Sequence, residues 1–229
     1  MTSLFDETET GHGEHGEHGV HSDHTATMED TAPLRRPDLH VVPDHRIDLV
    51  AAERAARNLL EALGLNLADE TVSGTPGRMV RGFAELLTPR EFTLTTFPND
   101  EGYDELVIAR SIPFTSLCEH HMLPFTGVAT VGYLPGARIL GLSKLARVVE
   151  LFARRAQVQE RLTTQVARWL ETHLQPKGVG VVVEAEHTCM TLRGVAAHGA
   201  TTVTSALLGT LRSDPLSRSE FLSLAQRRN

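Results

Sequence analysis

The chain has 229 residues and a formal charge of −7, unevenly placed: residues 1–45 carry ten Asp/Glu and two Arg, a local −8. Residues 46–229 hold nineteen acidic and twenty basic side chains, a near-neutral balance that argues against general nucleic-acid binding, which needs a basic face. No apolar run approaches the ~18 residues of a membrane span, no secretory signal is visible, and two cysteines make no disulfide framework, so the expected location is the cytoplasm.

The segment 1–45 reads as an acidic, His-rich tail. It has almost no large apolar side chains, so over about residues 1–40 it cannot offset the entropy of ordering and is expected to be disordered. His12, His15, His18, His21 and His24 recur every third residue. They make either a plain solvated tail or a set of imidazoles that captures a soft divalent metal transiently.

The domain proper, 46–229, opens with a helical part, 46–88, followed by a core, 89–229. Apolar residues at Ile47, Val50, Ala51, Leu59, Leu60 and Leu63 have a helical period that stops at Gly64. Thr75-Pro76 supplies a cap and a first-turn proline for a helix through about Leu87. Strand patterns follow at Glu91–Phe97, Glu105–Ile112 and Thr126–Tyr133. Ser143 can cap a helix to about Arg155 with Leu145, Val148, Val149, Leu151 and Phe152 inward, and a second helix runs from about Val158 to Leu174 with Leu162, Val166 and Leu170 inward. Gly178–Glu186 and Ala200–Leu208 are further strands, and a short helix near Ser219–Ala225 closes the chain. Helix pairs and strand groups that do not alternate one for one predict an α+β domain.

Cys118-Glu119-His120-His121 is the densest cluster of reactive side chains, and Cys189 lies two residues after His187 at the end of a strand. Cys-x-x-His plus a distant cysteine offers three zinc-type ligands and an open fourth position, the pattern of a catalytic metal; the alternative is two buried cysteines beside ordinary polar histidines. Ser143 and Lys144 fall at a helix N-terminus with Arg147 one turn on. Free N–H groups and the helix dipole there suit a phosphate, although a capping serine with exposed bases has the same signature.

Taken together, SLCEHHMLPFTGVATVGYLP, ILGLSKLARVVELFARRAQVQERLT, GVGVVVEAEHTCMTLRGV and TVTSALLG resemble the GTP cyclohydrolase I family, and the likeness runs from near Thr75 to about Phe221. The resemblance implies a tunnelling fold, an antiparallel sheet with helices packed on one side. Sheets join into rings, and two pentameric rings stack as a homodecamer with active sites at subunit interfaces. It implies conversion of GTP and water to 7,8-dihydroneopterin triphosphate and formate, the first step of tetrahydrofolate and pterin synthesis. By motif match Cys118, His121 and Cys189 hold Zn2+, which makes hydroxide available near neutral pH for attack on guanine C8. His120 and His187 match the catalytic histidines, with Ser143 a contributor to later proton transfers. Glu160 matches the guanine reader, with Gln159 beside it as a further substrate contact; Lys144, Arg147 and Arg193 match triphosphate contacts, and Arg78 and Arg81 reach the phosphates from a neighbouring subunit.

Two other readings compete. A nitrile reductase of queuosine synthesis would need a thioimide-forming cysteine and NADPH, without this zinc triad. A nucleotide sensor or metal-storage protein would not need His120, His187 and Glu160 together. Deleting residues 1–40 is expected to leave assembly and kcat unchanged when zinc is plentiful. A role for the tail histidines would show only as faster recovery of activity by zinc-free protein at limiting zinc; equal recovery with and without the tail would leave them no part in metal loading.

Overall fold

A computed structural model describes residues 39–41 and 46–226; the tail histidines lie outside these residues, as does the expected disorder up to residue 38. The first strand, β1 (Leu39–Val41), pairs antiparallel with β2 (Phe92–Leu94). It falls within the segment assigned to the tail, so a deletion through residue 40 also removes two of its three residues.

Helix α1 (Leu49–Ala62) starts where the Asp48 carboxylate accepts the Ala51 N–H at 2.9 Å. It packs mainly on α2 (Thr75–Leu87) and buries only Ala56 and Leu60, while Val50, Leu59 and Leu63, expected inside, are exposed. Gly74 is the N-cap of α2, so Thr75 is the first helical residue and not the cap; Pro76 follows where no intrahelical N–H is needed. The single strand expected over 91–97 is split, because β2 turns to β1 while β3 (Thr96–Pro98) pairs with β6 (Arg138–Leu140).

The central sheet joins β4 (Val107–Cys118), β5 (Leu123–Leu134), β7 (Ala156–Gln157), β8 (Gly178–His187) and β9 (Thr201–Gly209) in the order β7-β4-β5-β8-β9. All neighbours are antiparallel except β7 with β4. The first two strands are longer than the sequence pattern suggests, because each contains a proline that normally ends a strand. Pro113 pairs with Val128 on one side, and among the described residues β7 reaches only Leu117 and Cys118 on the other. Pro124 sits second in β5, where the ladder is only beginning.

Phe125, Ala129, Val131 and Tyr133 of β5 and Val179, Val181, Val183 and Ala185 of β8 share one face, as alternation along a strand requires. Against them lie Leu145, Val148 and Val149 of α3 (Leu142–Ala153) and Leu162, Val166 and Leu170 of α4 (Gln159–Leu174). The α+β architecture follows from this one layered core. No helix among the described residues is long and apolar enough to cross a membrane.

After β8 comes the one-turn helix α5 (Thr188–Thr191), and after β9 come α6 (Thr210–Ser213) and α7 (Pro215–Gln226), the last starting earlier than expected because Pro215 opens it. Helix α7 covers one end of the opposite sheet face through Phe221, which is fully buried. Gly132 and Gly180 stand opposite each other in register, and a Cβ at Gly180 would come within 2.7 Å of the Phe221 ring. The paired glycines are a slot for that ring. Gly180→Ala is expected to cost about 1–3 kcal/mol by overpacking, and Phe221→Ala about 3–5 kcal/mol by leaving a cavity, read from denaturant midpoints. An unchanged midpoint for Gly180→Ala would mean that the ring has room to move.

Candidate active site

At one end of the central sheet four pieces of chain converge. Strand β4 ends at Cys118, which pairs with Leu123 on one side and with Gln157 on the other. His121 and Met122 both donate their backbone N–H to the Cys118 carbonyl, at 3.2 and 2.7 Å, and close the turn that carries the two histidines. Met122 takes φ 53 to do so. His187 ends β8 opposite Phe125, and α5 turns the chain immediately so that Cys189 comes back toward Cys118.

Ligand atoms of Cys118, His187 and Cys189 all lie within 4.8 Å of one another. The Cys118 Sγ is also 3.8 Å from His121 Nδ1 and 3.9 Å from His120 Nδ1. Burial raises the Cys189 thiol from its usual range, and the Cys118 thiol beside it raises it further, with Arg193 opposing. Two facing thiols and an imidazole form a soft donor set, and a divalent cation is what allows both to ionise together; the residues fit a metal of the zinc class.

His187 is held on two sides. Its ring stacks on Phe125 with centroids 4.4 Å apart and planes 6° from parallel, and its Nε2 lies 2.8 Å from Gln159 Oε1. Burial lowers its pKa while the Glu160 carboxylate opposes the shift, so the neutral imidazole is favoured near pH 7. A neutral ring in this position can take up a proton or give one back after receiving it.

A profile of the GTP cyclohydrolase I family matches residues 52–226. The chain belongs to the GTP cyclohydrolase I family. GTP cyclohydrolase 1 of Mycobacteroides abscessus is 50% identical over 190 residues, covering 80% of this chain and 92% of that protein. The Aquifex aeolicus enzyme of the same name is 48% identical over 180 residues, covering 79% of this chain and 98% of its own. The Rhodopirellula baltica protein of that name is 46% identical over 190 residues, with 81% and 82% covered. An archaeosine synthase QueF-Like in its apo form aligns over 45% of this chain and 93% of its own at TM-score 0.38 and 18% identity, a likeness too slight to argue from.

The remaining residues singled out from GTP cyclohydrolase I motifs lie in two groups. Glu160 stands in the first turn of α4 within electrostatic reach of His187, and Arg193 within reach of Cys189. Ser143 and Arg147 instead line a cleft of about 610 Å³ over Ile112–Thr115 of β4, with Lys144 beside them in the first turn of α3. Helix α3 runs toward β7, so Ser143 is about 15 Å along the helix from its Ala153 end at 1.5 Å per residue. Gly141 is the N-cap of α3, so Ser143 is not the cap the sequence pattern suggests. Arg147 is 3.1 Å from Glu150, which also holds Arg90 at 2.6 Å and Arg154 at 3.2 Å. Burial raises the Glu150 carboxyl, but the arginines outweigh it and leave the group below its usual range. Arg78 and Arg81 are on α2, where Arg78 donates to Thr71 O and Thr75 Oγ1; neither lines the cleft.

Gln159 differs most from its sequence reading as a substrate contact. The residue is 2% exposed, with its side-chain oxygen on His187. The stacking of Phe125 on His187 and the ion pair of Glu119 with Arg161 were not legible in the sequence. Arg161 also donates to Gln157 Oε1 at 2.7 Å, and the Glu119 N–H donates to Gln157 O at 3.0 Å, so the histidine turn is tethered to β7 and α4. These partners are up to 62 residues apart in the chain (Phe125 and His187), and residue type alone does not announce them.

Proposed function

We propose that the chain converts GTP and water to 7,8-dihydroneopterin triphosphate and formate, in the cytoplasm, as a zinc enzyme. The observation that carries this is the gathering of two thiols and His187 within 4.8 Å at the sheet end where Glu160 begins α4. Family membership supplies the reaction, and the chemistry of the cluster suits it.

Cys118, Cys189 and His121 are assigned as the residues that hold zinc, with His121 already 3.8 Å from the Cys118 sulfur. When bound, zinc lowers the pKa of a coordinated water toward ~7 and so supplies hydroxide at neutral pH. His187, within 4.8 Å of both thiols, and His120, 3.9 Å from the Cys118 sulfur, are assigned as the two groups that exchange protons with the purine. Opening the ring at C8 requires a proton at N7 and another for the departing amine. Both histidines are suited to delivering and retrieving them. Glu160 accepts from guanine N1–H and the 2-amino group, an arrangement adenine cannot satisfy.

The triphosphate residues argue for a second copy of the chain. Ser143 and Arg147 line a cleft on the side of β4, with Lys144 beside them, and none of the three belongs to the donor cluster of the same chain. A GTP that meets both groups takes them from different subunits, with Arg78 and Arg81 brought by another. Among the described residues β9 pairs only with β8, and Val203 on it is 60% exposed, as are Val50 and Leu63 of α1 at 70% and 68%. An open strand edge and uncovered apolar side chains are what joining sheets into the ring of a tunnelling fold, and stacking two pentamers as a decamer, would cover.

Incubation with GTP is expected to release formate and a fluorescent pterin; neither product would appear from a nitrile reductase or a nucleotide sensor. Cys118→Ser and Cys189→Ser are each expected to lose bound zinc and turnover together, by metal analysis and formate assay. His187→Ala should keep its zinc while kcat falls about 100-fold or more; an empty site in that variant would make His187 a ligand and displace His121. Glu160→Gln should weaken the preference for GTP over ATP by roughly 30-fold, the worth of a hydrogen bond to a charged acceptor, and unchanged selectivity would remove the reader role from Glu160.

A further inference from the structure

Gln159 is the first residue of α4, and its buried amide has only one allowed orientation. Its Nε2 lies 2.9 Å from Thr202 O, 3.1 Å from Val183 O and 3.2 Å from Thr204 Oγ1. Backbone carbonyls cannot donate, so the nitrogen must face them; a turned amide would press its oxygen against two others.

The neighbouring hydroxyls obey the same logic. Thr163 Oγ1 is 2.7 Å from the Gln159 carbonyl and spends its one hydrogen there. Thr204 Oγ1, 2.6 Å from Thr163 Oγ1, is then the donor of that pair and keeps a lone pair for Gln159 Nε2. Both hydroxyl hydrogens thus have a set direction, and the two amide hydrogens of Gln159 are shared among its three acceptors. With the amide nitrogen so placed, the Gln159 Oε1, which carries no hydrogen, lies 2.8 Å from His187 Nε2. His187 must therefore be the donor, with its hydrogen on Nε2. Stacking on Phe125 resists any tilt of the ring out of this bond.

We propose that Gln159 is a positioning residue that holds the His187 ring in its Nε2–H form, with that hydrogen given to Gln159 Oε1 and Nδ1 the nitrogen left for the site. The proposal rests on the reading of His187 as a proton-transfer group in GTP hydrolysis and adds the atom and the residue that selects it. A ring free to change tautomer would spend part of its time with the lone pair turned to the protein interior, where it does no chemistry.

Nitrogen spectroscopy of full-length protein labelled with ¹⁵N-histidine reads the tautomer directly, the His187 signals being those absent from His187→Gln. The expected spectrum, with and without zinc, shows hydrogen on Nε2 and none on Nδ1 in the neutral ring. Hydrogen on Nδ1 would overturn the proposal, and this readout needs no variant of Gln159. Gln159→Met, which removes the acceptor at similar volume, should give mixed tautomers and lower kcat on the order of 10- to 100-fold. Its KM for GTP should stay within about twofold and its zinc content should be unchanged. Gln159→Asn keeps an amide but is too short to reach His187, and carries the same expectation if the Met variant does not fold. A Gln159 variant that retains both the pure Nε2–H spectrum and full kcat would also overturn the proposal. A wild-type chain that releases no formate from GTP would instead overturn the hydrolysis reading, and the spectrum would still decide the tautomer.

Discussion

The site depends on register in the central sheet. Cys118 reaches the cluster because β4 ends at the residue that pairs with Leu123, and His187 reaches it because β8 sets it opposite Phe125. A slip of one residue in either ladder would turn those side chains to the other face. Register is held by the apolar alternation of β5 and β8, whose inward residues are almost wholly buried against α3 and α4. On the opposite face the Gly132–Gly180 pair and Phe221 add a steric check that only one alignment satisfies. The chemistry is thus placed by packing well away from it.

Next to that apolar frame sits an unusual amount of buried amide. Gln157 and Gln159 are both essentially inaccessible, and both are fully engaged: Gln157 with Phe152 O, Gln165 and Arg161, and Gln159 with two strands and His187. Buried amides are costly unless satisfied, and once satisfied they admit few arrangements. Their placement on either side of Val158, where β7 becomes α4, ties the helix start to the histidine turn on one side and to β8 and β9 on the other. The neutral Gln159 orients His187 without adding charge to a site that already contains Glu160 and two thiols.

Charge is distributed unevenly between the two regions. The donor cluster has acidic Glu160 nearby, whereas the cationic cleft beside α3 holds Arg90, Arg147 and Arg154 around a single Glu150. A nucleotide triphosphate has a neutral base with donors at one end and a highly anionic tail at the other. The two environments match the two ends of such a molecule.

Much of this was legible in the residues themselves. The Cys-x-x-His motif, the later cysteine after His187, the Gln159-Glu160 pair and the helical and strand periods are local patterns, and local patterns survive in a linear chain. They were enough for the α+β class and most helix ends, and they drew attention to Cys118 and Cys189, which the fold brings together. The tertiary structure decided which face of α1 is covered, that Leu39–Val41 joins a ladder, that proline-bearing strands run on to the turn, and that Gln159 points inward to His187 and not outward. Each of these depends on partners dozens of residues away, and a hydrogen bond or a buried face is a property of two surfaces, of which the sequence displays only one at a time.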